Sequence, residues 1–246
     1  MPSEISNAAL EPLTTRLLQF CGPRVVKLDE IYHWNEPDTT ALPPGVAFHP
    51  RLHWSNAKWT IRLKLALHAA YTKAANANAR NTIARWAVCT WGGVKNHGPT
   101  TLATHVEFCS HDHDRWPWRG VASYSKILSV RDPSRYVIFD ARVAAALNAV
   151  QMINGRPLRI RFPIPSGQNA TIKKFAKLVK EHKAQHDIPK KEAYDTYLRT
   201  LAEVAKRLDR VDLYRIEMIL FGLATRLARQ LLSARQGTVG LSMPRN

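Results

Sequence analysis

The sequence predicts a mainly α-helical fold, and three observations support this class. Apolar residues recur at helical spacing through most of the chain, most clearly over 189–208 and 211–234. Stretches that read as strands are few and short. Gly, Pro and Asn separate the periodic segments. At 246 residues the chain is long enough for one domain, and we expect two packed helical lobes with few short strands.

The N-terminal half predicts helices separated by loops. Gly22-Pro23 is expected to end the first helix, and the proline-rich stretch 25–50 is expected to be a loop that straps the core. The predicted helices are 7–21, 57–76, about 80–90, and a segment that begins at Thr100 or Thr101.

The segment 119–150 predicts a helix, a break and a second helix. Gly120 opens the first helix, and Asp132-Pro133 ends it because the residue before a proline is pushed out of the helical region. Residues 134–139 then form an apolar, extended approach. Asp140 is the expected N-cap of the second helix.

Lys126 and Asp140 each admit two interpretations. Asp140 is either a plain N-cap, worth about 1 kcal/mol, or a functional carboxylate that the helix dipole keeps ionised. Lys126 is either a solvated lysine on a helix surface or an amine with a chemical role.

This segment resembles the helix-hairpin-helix DNA glycosylases, and most closely the bacterial proteins with an 8-oxoguanine-glycosylase fold. The residues that match are Ser125, Lys126, Leu128, Pro133, Tyr136, Ile138, Asp140, Arg142 and Val143. The rest of the chain matches only in its helical layout. The resemblance implies an enzyme that flips a modified base out of duplex DNA and excises it, with Asp140 as the catalytic carboxylate. Lys126 is then either a nucleophile that forms a Schiff base and permits strand scission, or a residue that binds phosphate or pairs with Asp140.

The charge of the chain favours a polyanionic partner. Its 36 Lys+Arg against 19 Asp+Glu give a net charge of +17, which strengthens binding to nucleic acid. A Ser-Gly-Gln-Asn turn at a helix start, followed by lysines, suits phosphate binding, although a solvated lysine face is the alternative. The candidate DNA-binding residues are Gly120, Ser123, Ser125, Arg142, Arg159, Arg161, Ser166, Gln168, Asn169, Lys173, Lys174 and Lys177.

A flipped base also needs an aromatic pocket or a wedge. The candidates are Trp91, Trp116, Trp118 and Tyr124, although most of the seven tryptophans are expected in the core.

Two other functions remain open. The first is a non-catalytic, basic DNA-binding protein in which Asp140 is only a cap. The second is a metal-dependent nuclease built on the cluster 111–114, but a metal centre would need a fuller ligand set, so we expect no metal and no cofactor.

The chain carries no sign of export or membrane insertion. Cys21, Cys89 and Cys109 are an odd, widely spaced set, typical of reduced thiols. The N-terminus lacks a signal pattern, and the most apolar run, 218–224, is too short to span a bilayer. We therefore expect a cytoplasmic protein.

The expected protein is a monomer that acts on double-stranded DNA in repair or in defence against phage. The base it excises is left open.

Overall fold

The computed structural model describes residues 5–34, 36–94, 98–113 and 116–239, and this part of the chain is mainly helical, as predicted. Two short strands, β1 (Ile160–Arg161) and β2 (His186–Asp187), pair in parallel with Ile160 opposite His186. The α-helices are α1 Asn7–Val25, α2 Leu28–Ile31, α3 Asn56–Lys73, α4 Ala77–Arg85, α5 Pro99–Phe108, α6 Val121–Arg131, α7 Ala141–Met152, α8 Ala170–Glu181, α9 Ala193–Arg207 and α10 Leu213–Val239.

Most helix contacts fall into two groups. In one group α10 packs along α7 and also against α8, α1 and α9. In the other, α6 packs against α3, α5 and the turn that follows α4. The short helix α2 contacts both α10 and α3. The connection from α6 to α7 crosses from one group to the other, so its residues lie where the groups meet.

The first helix is longer than predicted. The expectation that Gly22-Pro23 ends α1 is wrong, since the helix continues to Val25. Pro23 lies in the last turn, where few further backbone bonds depend on it. Arg24 strengthens this turn, because its guanidinium donates to the Phe20 carbonyl at 2.6 Å. The predicted loop over 25–50 also contains α2.

The helix predicted at about 80–90 changes its winding. It is α-helical to Arg85 and continues as a π-helical turn, Trp86–Trp91. The N–H of Gly92 donates to the Ala87 carbonyl at 2.9 Å, one residue beyond the α-helical partner. Such turns are rare and frequently occur at functional sites. The residues that follow at 95–97 lie outside the described part of the chain.

The central segment has the predicted helix, break and second helix, but the predicted extended approach over 134–139 begins with a turn through Ser134 and Arg135. Gly120 precedes α6 with φ 82°, a left-handed conformation that glycine adopts easily. Helix α6 ends at Arg131, immediately before Asp132 and Pro133. Asp140 is the N-cap of α7, and the side chains of α7 are buried except that of Arg142, which is half-buried.

Candidate functional site

Lys126 and Asp140 line the same small cavity. Its space is about 30 Å³, which is room for about one water molecule. A flat base would enter only if side chains in the wall moved. The main lining residues are Trp34, Trp91, Gly92, Lys126, Asp140, Glu217 and Phe221.

The amine of Lys126 lies inside the protein. The residue is 6% exposed, and its Nζ donates to the Ala122 carbonyl at 2.5 Å. Burial lowers the pKa of Lys126, while the carboxyl groups of Asp140 and Glu217 act in the opposite direction. A lysine with a lowered pKa is a better nucleophile near neutral pH, because more of it is unprotonated.

Asp140 is both a helix cap and part of the cavity wall. Its Oδ1 accepts the backbone N–H groups of Arg142 at 2.9 Å and Val143 at 3.0 Å. Its Oδ2 makes no hydrogen bond within the described residues. The N-cap interpretation is therefore correct, and it leaves one carboxylate oxygen available on the partly buried side chain.

Hydrogen bonds from two other helices, α6 and α9, hold the approach to Asp140 in place. The hydroxyl of Ser125 on α6 accepts the Phe139 N–H at 3.1 Å. The hydroxyls of two buried tyrosines on α9 donate to the two backbone carbonyls that precede Phe139. These bonds are Tyr194 to Val137 at 3.0 Å and Tyr197 to Ile138 at 3.1 Å.

A buried ion pair lies beside Lys126 and Asp140. It was not predicted from the sequence. Lys64 Nζ on α3 and Glu217 Oε2 on α10 are 3.3 Å apart, with side chains 2% and 4% exposed. Burial raises the pKa of Glu217, and the charges of Lys64 and Lys126 oppose that change. One signal was present, since each residue interrupts the apolar face of its helix.

Aromatic rings form another wall of the cavity. Trp34 Nε1 donates to the Trp91 carbonyl at 3.0 Å, and the Asn56 side chain bonds both the N–H and the carbonyl of Trp34. The Trp34 and Phe221 rings meet edge to face at 5.1 Å. The guanidinium of Arg142, a predicted DNA contact, lies 5.1 Å from the Trp34 ring and 4.8 Å from the Phe221 ring.

Gly92 lets the π-helical turn approach Lys126 closely. A Cβ at this position would lie 2.5 Å from Lys126 Cδ and 2.6 Å from Lys126 Cε. Any larger residue would therefore push the lysine side chain out of its present position.

The four aromatic candidates lie in different places. Trp91 lines the cavity. Trp116 and Tyr124 are not among its lining residues, since they stack at 5.7 Å inside a buried aromatic cluster with Tyr194. Trp118 is half-buried, with its ring 6.4 Å from that of Phe139.

The predicted phosphate-binding turn lies beside the start of α7. A Cβ at Gly167 would be 2.7 Å from the Ala141 Cβ, so the turn packs against the residue that follows Asp140. Ser166 and Gln168 in the turn are exposed, and Asn169 caps α8 by accepting the Ile172 N–H at 3.1 Å. The side chains of Lys173, Lys174 and Lys177 are exposed on α8.

Other candidate DNA contacts are engaged within the protein. Ser123 and Ser125 are buried, and Gly120 packs against the His105 ring. Arg161 donates to the Lys180 and His182 carbonyls and pairs with Asp187 at 2.9 Å. Arg159 is exposed and lies in a separate groove on another part of the surface.

The cluster that suggested a metal centre is held by arginines. Asp112 pairs with Arg131, accepts Arg135 Nη1 at 2.9 Å and accepts the Tyr136 hydroxyl at 3.0 Å. These hydrogen bonds lower the pKa of Asp112 to about 2. His113 stacks on Phe108 with ring centroids 3.9 Å apart. Within the described ranges no three His, Cys, Asp or Glu residues form a group that could hold a metal ion, and Asp114 lies outside those ranges.

No protein-family model, curated protein or solved structure matches the chain. In the part of the chain that the structure describes, no helix combines the length and the apolar character needed to cross a membrane.

Proposed function

We propose that the protein is a DNA glycosylase that excises a modified base and whose catalytic groups are Asp140 and Lys126. One observation supports this most strongly. A buried amine and a carboxylate, one oxygen of which makes no hydrogen bond within the described residues, line one cavity. The rings of Trp34, Trp91 and Phe221 and the carboxyl group of Glu217 line it as well. A cavity of this composition suits a planar base with a sugar beside it.

Lys126 is the proposed nucleophile. The unprotonated amine attacks C1′ of the deoxyribose, the N–C1′ bond forms, and the bond from C1′ to the base breaks. The base leaves with the bonding electrons and takes up a proton. One proton of that nitrogen passes to O4′ as the C1′–O4′ bond opens, which gives a protonated Schiff base. Loss of a C2′ proton then eliminates the 3′ phosphate and cleaves the strand. The lowered pKa of Lys126 supports this role, because it increases the unprotonated fraction.

Asp140 is proposed to stabilise the positive charge that develops on the sugar as the base departs. Asp140 caps the N-terminus of α7 through Oδ1, which leaves Oδ2 for the sugar. Glu217 adds a second carboxyl group to the wall, in contact with Lys64 rather than with a helix end. We assign Glu217 to the orientation of the base or of Lys126.

The DNA backbone is proposed to bind beside this cavity. The turn at 166–169 packs against Ala141 at the start of α7, next to Asp140, and α8 with its exposed lysines follows that turn. Phosphate groups there would receive both backbone N–H donors and lysine cations.

The proposal requires the cavity to open. Trp34 and Phe221 are half-buried, and a base could insert between them if the edge-to-face contact gave way. Stacking on an aromatic ring is worth about 1–3 kcal/mol per base, which would offset part of the cost of flipping.

The test is incubation with a panel of duplexes, each with one modified base, followed by treatment with alkali or with borohydride. Strand cleavage after alkali reports base release, and a trapped protein–DNA adduct reports an amine nucleophile. Base release from at least one duplex, with an adduct on Lys126, is the expected result. Binding without release from any duplex would instead favour the non-catalytic DNA-binding protein, in which Asp140 is only a cap.

A further inference from the structure

A second concave site lies far from the candidate cavity. It is a groove of about 540 Å³ between α1, the C-terminal end of α7 and the loop that precedes β1. Pockets of several hundred cubic ångströms are typical of small-ligand sites. Asp140 and Gln151 lie near opposite ends of the buried helix α7, about 17 Å apart at 1.5 Å per residue. The groove is therefore not part of the site described above.

Three arginines supply the charge of this groove: Arg16, Arg156 and Arg159. Within the described residues, none of them makes an ion pair or a side-chain hydrogen bond. Arg161, two residues beyond Arg159, instead bonds the end of α8 and Asp187. Arg161 therefore has a structural role, whereas Arg156 and Arg159 line the groove.

Among the described lining residues the one acidic residue, Glu11, does not cancel this charge. Both oxygens of Glu11 accept from Arg207, at 2.6 and 2.8 Å, and Thr15 also donates to it. These hydrogen bonds lower the pKa of Glu11, so it stays ionised and paired. The carbonyl end of α7 offsets only about half a unit of positive charge. The groove therefore keeps a clear positive excess from its three arginines.

We propose that this groove is a second anion site, which binds a phosphate group through Arg16, Arg156 and Arg159. Planar guanidinium groups are well suited to phosphate oxygens, since each can donate two parallel hydrogen bonds. The phosphate belongs either to a free nucleotide or to a DNA segment distant from the flipped base. The proposal does not depend on base excision.

The test compares wild type with Arg156→Ala/Arg159→Ala. Both residues are exposed in a loop, so the fold should survive, and thermal melting checks this. The probes are AMP and an undamaged 20-base-pair duplex, each titrated by calorimetry over a range of salt concentrations. Arg62→Ala/Lys73→Ala, at exposed positions of α3, is the control with the same change in net charge.

If the groove binds a free nucleotide, the affinity of the groove variant for AMP should fall about tenfold. If the groove binds a DNA segment, the duplex affinity of the groove variant should depend less steeply on salt. The slope of log affinity against log salt should become shallower by about 0.9 for each lost phosphate contact. Either result, absent from the control variant, supports the proposal. Unchanged binding of both probes, or an equal loss in the control, would overturn it. Neither readout involves base release, so this outcome is separate from the test of the glycosylase proposal.

Discussion

The Ser125 hydroxyl accepts the Phe139 N–H at 3.1 Å, and these two residues immediately adjoin Lys126 and Asp140. This hydrogen bond ties α6 to the extended approach to α7. It therefore fixes how the amine and the carboxylate lie relative to each other.

Replacing Ser125 with alanine should disturb both stability and the site. The change leaves the buried Phe139 N–H without its partner, which costs about 1–3 kcal/mol in the free energy of unfolding. Urea denaturation measures that cost, and base release should slow as Asp140 shifts. Ser129→Ala is the matched control, because Ser129 is buried on the same helix but bonds only the Lys126 carbonyl at 2.9 Å. Equal loss of base release in both variants would contradict this role of Ser125.

Gly92→Ala should impair Lys126 without removing it. The added methyl group would lie 2.5 Å from Lys126 Cδ and 2.7 Å from the Val88 carbonyl oxygen, so both the lysine side chain and the π-helical turn must shift. We expect a lower yield of the borohydride-trapped adduct and little change in DNA affinity. Gly98→Ala is the control for a glycine beside a helix, since the nearest described atom to its Cβ, Thr101 Oγ1, is 3.9 Å away. A normal adduct yield from Gly92→Ala would show that the close contact does not matter.

The Lys64–Glu217 pair should show strong coupling in a double-mutant cycle. Removing one partner of a buried pair leaves an uncompensated group, at a cost of about 3–5 kcal/mol. Lys64→Met and Glu217→Gln should therefore each destabilise the fold, and the double variant should recover part of the loss. Additive free energies of unfolding would mean that the two residues do not interact. If the double variant is stable but does not release base, the Lys64–Glu217 pair has a role in the site beyond packing.

Burial of Lys126 should make stability depend on pH. Its pKa in the folded protein is below the ordinary value of 10.5, so the unfolded chain binds more protons in the window between the two values. Stability should therefore rise with pH through that window, by at most about 1.4 kcal/mol per pH unit. Lys126→Met should remove this rise in urea denaturation at alkaline pH, whereas Lys73→Met on the exposed end of α3 should not. If the stability of Lys126→Met still rises with pH as in wild type, the rise comes from other groups.

The sequence predicted the parts of the site that depend on local signals. The break at Asp132-Pro133 and the cap at Asp140 follow from the backbone preferences of neighbouring residues, and both are confirmed. The mainly helical class was also confirmed, because amphipathic periodicity is a strong signal over long segments.

The remaining wall of the cavity could not be predicted in the same way. Trp34 and Phe221 come from a loop and a helix far apart in the chain, and only tertiary packing brings them together. Lys64 does not line the cavity and is linked to its wall only through the ion pair with Glu217. Trp116 and Tyr124 are residue types that suit a base pocket, but they lie in an aromatic cluster of the core. A more useful signal was a charged residue on an apolar helix face, as at Glu217.

Base release by Asp140→Asn tests the central claim most directly. Asparagine caps helices about as well as aspartate, so the variant should fold and bind DNA as wild type does. It lacks the carboxylate charge, so it should release no base from any duplex on which wild type is active, as judged by strand cleavage after alkali. Base release at the wild-type rate would contradict the account, because Asp140 would then be a helix cap and nothing more.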